Sequence, residues 1–267
     1  MSNSPIELPE KIELPDCISN AVSNLTEKPT QTIGKVINDI LYLATSKISF
    51  HADKIRIKYA ADIEKFKKSI ECKVNQIPEN DLAQPDIQLI GTAIDDSKYC
   101  LEHEELREMF ANLIAASLNE TKNDKATPFC SMIIKRLTPF DALILSTFSG
   151  RHTRPICQYD AKDADSLITI QTNVYLEGIS KANKSDIEKR AIAISELEAL
   201  GLVKTNYAEQ LLTESLYEPF TRVEAYNEYV AIIENKGGDR KMRVTRGYVV
   251  LTPTGMQFMD VCMPSQA

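Results

Sequence analysis

With 267 residues the chain can bury a substantial core, and this length predicts two domains of roughly 100–200 residues each. Its 31 basic and 38 acidic residues leave a formal charge of −7, which excludes bulk attraction to nucleic acid or anionic lipid, so any cationic surface must be local. The six cysteines, Cys17, Cys72, Cys100, Cys130, Cys157 and Cys262, form no CxxC pair and have no histidine cluster nearby. They read as reduced, buried thiols, and no metal or cofactor is expected.

The opening MSNSPIELPEKIELP lacks the apolar core of a signal peptide, and no run of about 18 apolar residues follows it, so the expected location is the cytoplasm. A short duplication, IELPEK then IELPDC, places proline after each apolar triplet, which predicts an extended arm over residues 1–29. From Ile33 to Phe50 the apolar spacing turns helical. Core packing explains this stretch best, with a membrane or partner surface as the alternative, because its charges are sparse and mixed in sign.

A longer helix follows, with Ile55, Tyr59, Ile63, Phe66, Ile70, Val74 and Ile77 forming a heptad-like seam that Pro78 ends. A short helix is predicted over Asp86 to Cys100, and an amphipathic one over Glu102 to Glu120. In the latter, Leu106, Met109, Phe110, Leu113, Ile114 and Leu118 form one stripe, and glutamates crowd the first turn. These glutamates look like an acid cluster, but the continuous stripe beneath them predicts a helix built to pack. With Phe129 to Leu137 added, residues 30–136 read as an all-α domain of about five helices.

After residue 137 the pattern changes. Thr138 is a plausible N-cap with Pro139 at the first helical position and Asp141 in the first turn, and Gly150 suits a left-handed residue beyond that helix. RPICQYD and SLITIQTNVYL read as extended, Ser185 to Leu200 as a helix capped by Gly201, and LVKT as a strand. KMRVTRGYVVLTPTGMQFMDVC reads as a strand, a turn at Thr252 and Pro253, and a last helix. This order predicts a winged-helix-like unit over 137–267, and the whole chain is expected to be mainly α, an N-terminal helical unit followed by an α+β winged-helix-like one.

Two stretches carry a family resemblance. EELREMFANLIAASLNE follows the Lys/Glu-rich helix that ends in IPEN, and a hinge leads to Leu137-Thr138-Pro139 with Ala142. The closing LTPTGMQFMDVC has Gly255, Phe258 and Cys262 at matching places, with Met256 where another apolar residue is usual. This ordered set resembles the abortive infection alpha family of bacterial proteins over about residues 50–263. The resemblance implies a role in resistance to bacteriophage and brings no catalytic residues with it.

No phosphate loop, GxGxxG, HExxH or GxSxG occurs, so no enzyme activity is expected. The most site-like feature is NKGGDRKMRVTRG, where Lys236, Arg240, Lys241, Arg243 and Arg246 face only Asp239. Gly237-Gly238 reads as a hairpin turn, which would make this cluster a wing able to lie against phosphates. Strand alternation puts Lys241 and Arg243 in phase and Arg246 out of phase. The expected function is therefore non-enzymatic antiviral defence through macromolecular contacts. A protein partner leads. Weak nucleic-acid binding as a winged-helix regulator, membrane action through Ile33 to Phe50, and a homo-oligomer are the alternatives.

Overall fold

The computed structural model describes residues 53–235 and 239–263, with side chains from residue 59 onward. The arm over residues 1–29 and the helical stretch from Ile33 to Phe50 lie outside the described residues.

Four helices form the first layer. Helix α1 (Asp53–Val74) turns Phe66, Ile70 and Val74 into the core, four residues apart and all members of the seam. Helix α2 (Ile87–Ser97) starts at Asp86, whose carboxylate accepts the amides of Gln88 and Leu89 at 2.9 and 3.1 Å. Helix α3 (Glu104–Ser117) is the hub: α1, α2 and α4 (Pro128–Arg136) all pack on it. Its Glu108 ties α3 to α1, accepting from Ser69 Oγ at 2.8 Å and pairing with Lys73 Nζ at 2.9 Å. Burial pushes this carboxyl up, but Ser69 and Lys73 outweigh it and hold the group below its ordinary value. Glu108 thus serves the packing of α3 on α1.

Helix α5 (Pro139–Ser146) begins with the expected cap: Thr138 Oγ1 accepts the Asp141 amide at 3.2 Å, and Asp141 accepts the Thr138 amide at 2.8 Å. Strands β1 (Thr153–Lys162) and β2 (Leu167–Val174) follow, then helix α6 (Lys184–Ala199) and strand β3 (Val203–Asn206). A 3-10 stretch (Glu214–Thr221) and helix α7 (Glu224–Asn235) precede strand β4 (Lys241–Leu251) and the closing helix α8 (Pro253–Cys262). The strands form one antiparallel sheet in the order β2-β1-β4-β3.

This sheet corrects the expectation of a mainly α chain. The fold is mixed α+β, 53% helix and 17% strand among the described residues, with a curled four-stranded antiparallel sheet. The physical reason is long-range pairing. Strand β4 pairs with β1 residue for residue, from Thr153 opposite Val250 to Lys162 opposite Lys241, a partnership that no local pattern announces. The expected wing is corrected with it. Helix α7 precedes β4, so the basic strand is not one arm of a tight hairpin but one of the sheet's two inner strands, flanked by β1 and β3. The Gly237-Gly238 turn itself lies outside the described residues.

The sheet separates two cores. One face carries Ile156, Val249 and Leu251 toward the helical layer. The other carries Cys157, Tyr159 and Val244 toward the 3-10 stretch and α7. Close backbone approaches fix the edges of this arrangement. A Cβ at Gly247 would stand 2.3 Å from the Asn206 carbonyl oxygen, and one at Gly255 would stand 2.0 Å from that of Leu202.

Candidate interaction surface

The register of β4 decides what the basic cluster can do. Lys241, Arg243 and Thr245 share a face with Lys162, Asp160 and Gln158 of β1, while Arg246 stands on the opposite face across from Cys157. The alternation read from the sequence places these side chains correctly.

Two of the five cations are already engaged. Arg246 lies 5.3 Å over the Tyr217 ring and 4.0 Å from a Glu214 oxygen, so it serves the second core. Arg240 donates from Nε to Asp163 Oδ2 at 3.0 Å. That contact, with the Ser166 hydroxyl and the amides of Asp165 and Ser166, holds the Asp163 carboxyl well below the usual carboxylate range. Lys236 lies outside the described residues. Lys241 and Arg243 remain, both exposed and with no side-chain hydrogen bond or ion pair among the described residues.

Their surroundings limit the field they make. Lys241 faces Lys162 directly, a like-charge pair. Arg243 faces Asp160, which is only 1% exposed. One oxygen of Asp160 accepts from the Thr245 hydroxyl, and the other has no hydrogen-bond partner among the described residues. Asp163, Asp165 and Asp239 stand at the same end of the sheet, so cations and acids alternate there rather than forming a continuous basic stripe.

Helix α6, the element a DNA reader would insert into a groove, offers no free cationic face. Arg190 is buried and donates to the Glu177 carbonyl at 2.9 Å. Lys189 lies 5.7 Å over the Phe140 ring, and Lys184 pairs with Glu188 at 3.4 Å.

A second feature escaped the sequence reading. A groove of about 350 Å³ runs beside α8, with Phe148, Met256, Met259 and Met263 on its walls. Three methionines at steps of three and four were the available signal, since flexible thioethers suit an adaptable contact surface. Ser149, His152 and Asp260 also line it. They do not form a relay: Asp260 is held by Lys125 at 2.8 Å and Lys122 at 3.5 Å, and no ion pair joins it to His152. The Lys125 contact, reinforced by Lys122, keeps the Asp260 carboxyl below its ordinary value despite partial burial. Among the described residues no group of three histidine, cysteine, aspartate or glutamate side chains is placed to hold a metal ion.

Comparison with known proteins gives one family. No curated protein and no solved structure matches the chain. The family model described as abortive infection alpha matches residues 58–262. That span begins within α1, ends on the last residue of α8 and takes in all four strands, and the chain belongs to the abortive infection alpha family.

Proposed function

We propose that the chain is a non-enzymatic defence protein of the abortive-infection type that acts in the cytoplasm by contacting another protein. The observation that carries this reading is the family match over residues 58–262, whose name denotes abortive infection. Two features of the structure support it. Two charged residues buried in the helical layer make structural bonds: Asp141 caps α5, and Arg107 donates from Nη1 to the Leu101 carbonyl at 2.8 Å. The methionine-lined groove beside α8 offers an adaptable apolar surface of the kind that accepts a partner's side chains.

Phage challenge of cells with and without this gene expressed alone tests the reading. Protection by the unaltered chain, lost in a Met256→Glu/Met259→Glu pair that still folds by circular dichroism, is the expected result. No protection from the unaltered chain would sink the defence role. Full protection by the variant would remove the groove from it.

The nucleic-acid reading keeps one specific observation, the free pair Lys241 and Arg243 on one face of β4. Binding through this pair would be weak and salt-dependent, and Lys241→Ala/Arg243→Ala should flatten the salt slope by about two units. A slope near zero in the unaltered protein rules this reading out. The membrane reading rests on Ile33 to Phe50, outside the described residues. Among those described, no helix is long and apolar enough to cross a membrane. Sedimentation with anionic liposomes decides it.

A further inference from the structure

The sheet face that packs Ile156 and Val249 on the helical layer runs on past Gly247 to the far end of β4, where Lys162, Thr169, Lys241 and Arg243 are exposed. Side chains cross this end of the face in rows. Gln158 and Thr245 stand opposite each other nearest the core, and Gln158 donates from Nε2 to Thr172 Oγ1 of β2 at 3.2 Å. Thr169, Asp160 and Arg243 form the next row, and Leu167, Lys162 and Lys241 the last.

Lys162 joins Lys241 and Arg243 in having no side-chain hydrogen bond or ion pair among the described residues. Asp163, the next residue along β1, is taken by Arg240 at 3.0 Å. Three uncommitted cations therefore stand around one buried carboxylate, Asp160, and the face keeps an excess of positive charge within an acidic chain. Lys162 and Lys241 lie directly opposite each other, an arrangement that costs a sheet stability. The fold gains nothing from bringing these ammonium groups together, whereas an anion placed between them relieves their repulsion.

We propose that Lys162, Lys241 and Arg243 form a docking site for an acidic segment of a protein partner, with its carboxylates between the two lysines and against the arginine. This rests on the protein-contact reading and names the partner's chemistry, at the opposite end of β4 from the methionine groove that Leu251 lines.

Charge and shape select this occupant. The Arg243 guanidinium is a planar fork that matches a carboxylate, and the lysines supply point charges on either side. A nucleic-acid strand fits less well. This end of the face carries no aromatic ring on which a base could stack, and Asp163, Asp165 and Asp239 stand just beyond the row of Lys162 and Lys241. Those acids block a long phosphate track but leave room for a short run of carboxylates.

Fluorescein-labelled deca-glutamate, titrated into the full-length protein at low salt and followed by fluorescence anisotropy, should bind and be released as salt rises. Lys162→Gln/Lys241→Gln/Arg243→Gln should weaken binding about tenfold. The control Lys68→Gln/Lys181→Gln/Lys204→Gln makes the same charge change at exposed residues elsewhere and should leave binding unaltered. Thermal midpoints of Lys162→Gln and Lys241→Gln should hold or rise, because each removes the like-charge pair. A fall in either midpoint makes the ammonium groups structural and overturns the proposal. Absence of peptide binding overturns it too, as does equal weakening by the control. Tighter binding of an oligothymidylate of equal length overturns it in favour of nucleic acid. Because the titration needs no cells, its failure is distinct from a failure of phage protection, which tests the defence reading itself.

Discussion

The two cores on either side of the sheet are made of different matter. The helical side is aliphatic, with Leu106, Leu113, Ile114, Ile133 and Ile134 around Phe110, and it is held by shape and volume. The other side is aromatic, and its tyrosines are fixed by their hydroxyls. Tyr159 donates to the Phe220 carbonyl at 2.6 Å, Tyr217 to that of Gly247 at 2.7 Å, and Tyr229 to Gln171 Oε1 at 2.9 Å. Burial drives these phenols upward, Tyr229 to about 12, so they remain donors across the working pH range. An aliphatic core tolerates volume-conserving exchange, whereas a core of bonded tyrosines ties each ring to one carbonyl or amide. The second core therefore specifies how the 3-10 stretch and α7 lie against the sheet more narrowly than apolar packing alone would.

The largest expected effect falls on the aliphatic side. Phe110→Ala should cost roughly 3–5 kcal/mol by opening a cavity at the hub helix. Thermal melts with an unchanged midpoint would take α3 out of the core. On the aromatic side Tyr159→Phe keeps the volume and loses only the bond to Phe220, so its cost should be about 1–3 kcal/mol, the desolvation of a stranded carbonyl. If that melt does not move, the hydroxyl is not what fixes this core, and the contrast between the two sides collapses.

Smaller effects test the borders. Thr138→Ala removes one half of the α5 capping box and should cost about 1 kcal/mol, read from denaturant midpoints. The clamp of Asp260 on Lys122 and Lys125 is exposed, so Asp260→Asn should cost at most about 1 kcal/mol. Its pH dependence has a definite sign. Because the folded carboxyl titrates below its ordinary value, the contribution is complete above the unfolded value and is lost as pH falls through the folded one, below about pH 4. A clamp contribution that instead vanished between pH 6 and 8 would assign it to another group.

Much of the helical layer was legible because its signals are local. The seam of α1, the stripe of α3 and the Thr138-Pro139-Asp141 start of α5 each lie within a few turns. Gly150 and Gly201 do take the left-handed conformation their positions implied, with φ of 70° and 74°. The sheet was only half legible. Its extended segments were recognisable, but their assembly depends on β1 meeting β4, and α7 between β3 and β4 was not anticipated at all. For the candidate surface, alternation separated Arg246 from Lys241 and Arg243, but the partners that occupy Arg240 and Arg246 come from Asp163, Glu214 and Tyr217, far along the chain.

The placement of β4 also sets an order of events. Its partners in β1 stand roughly 80–100 residues earlier, so the central pairing carries a high loop-closure cost and is expected to form late. During synthesis the four helices of the first layer emerge with most of their mutual contacts available, while β1 and β2 wait as an open hairpin. Only when Lys241 to Leu251 leave the ribosome can the sheet close, and only then does α8 find its seat against α3 through the bond from Asn112 to Cys262. Closure of the sheet is thereby coupled to the emergence of Lys241 to Cys262. A chain halted before β4 would carry a nascent helical layer and a sheet lacking its inner strand β4, without the docked closing helix.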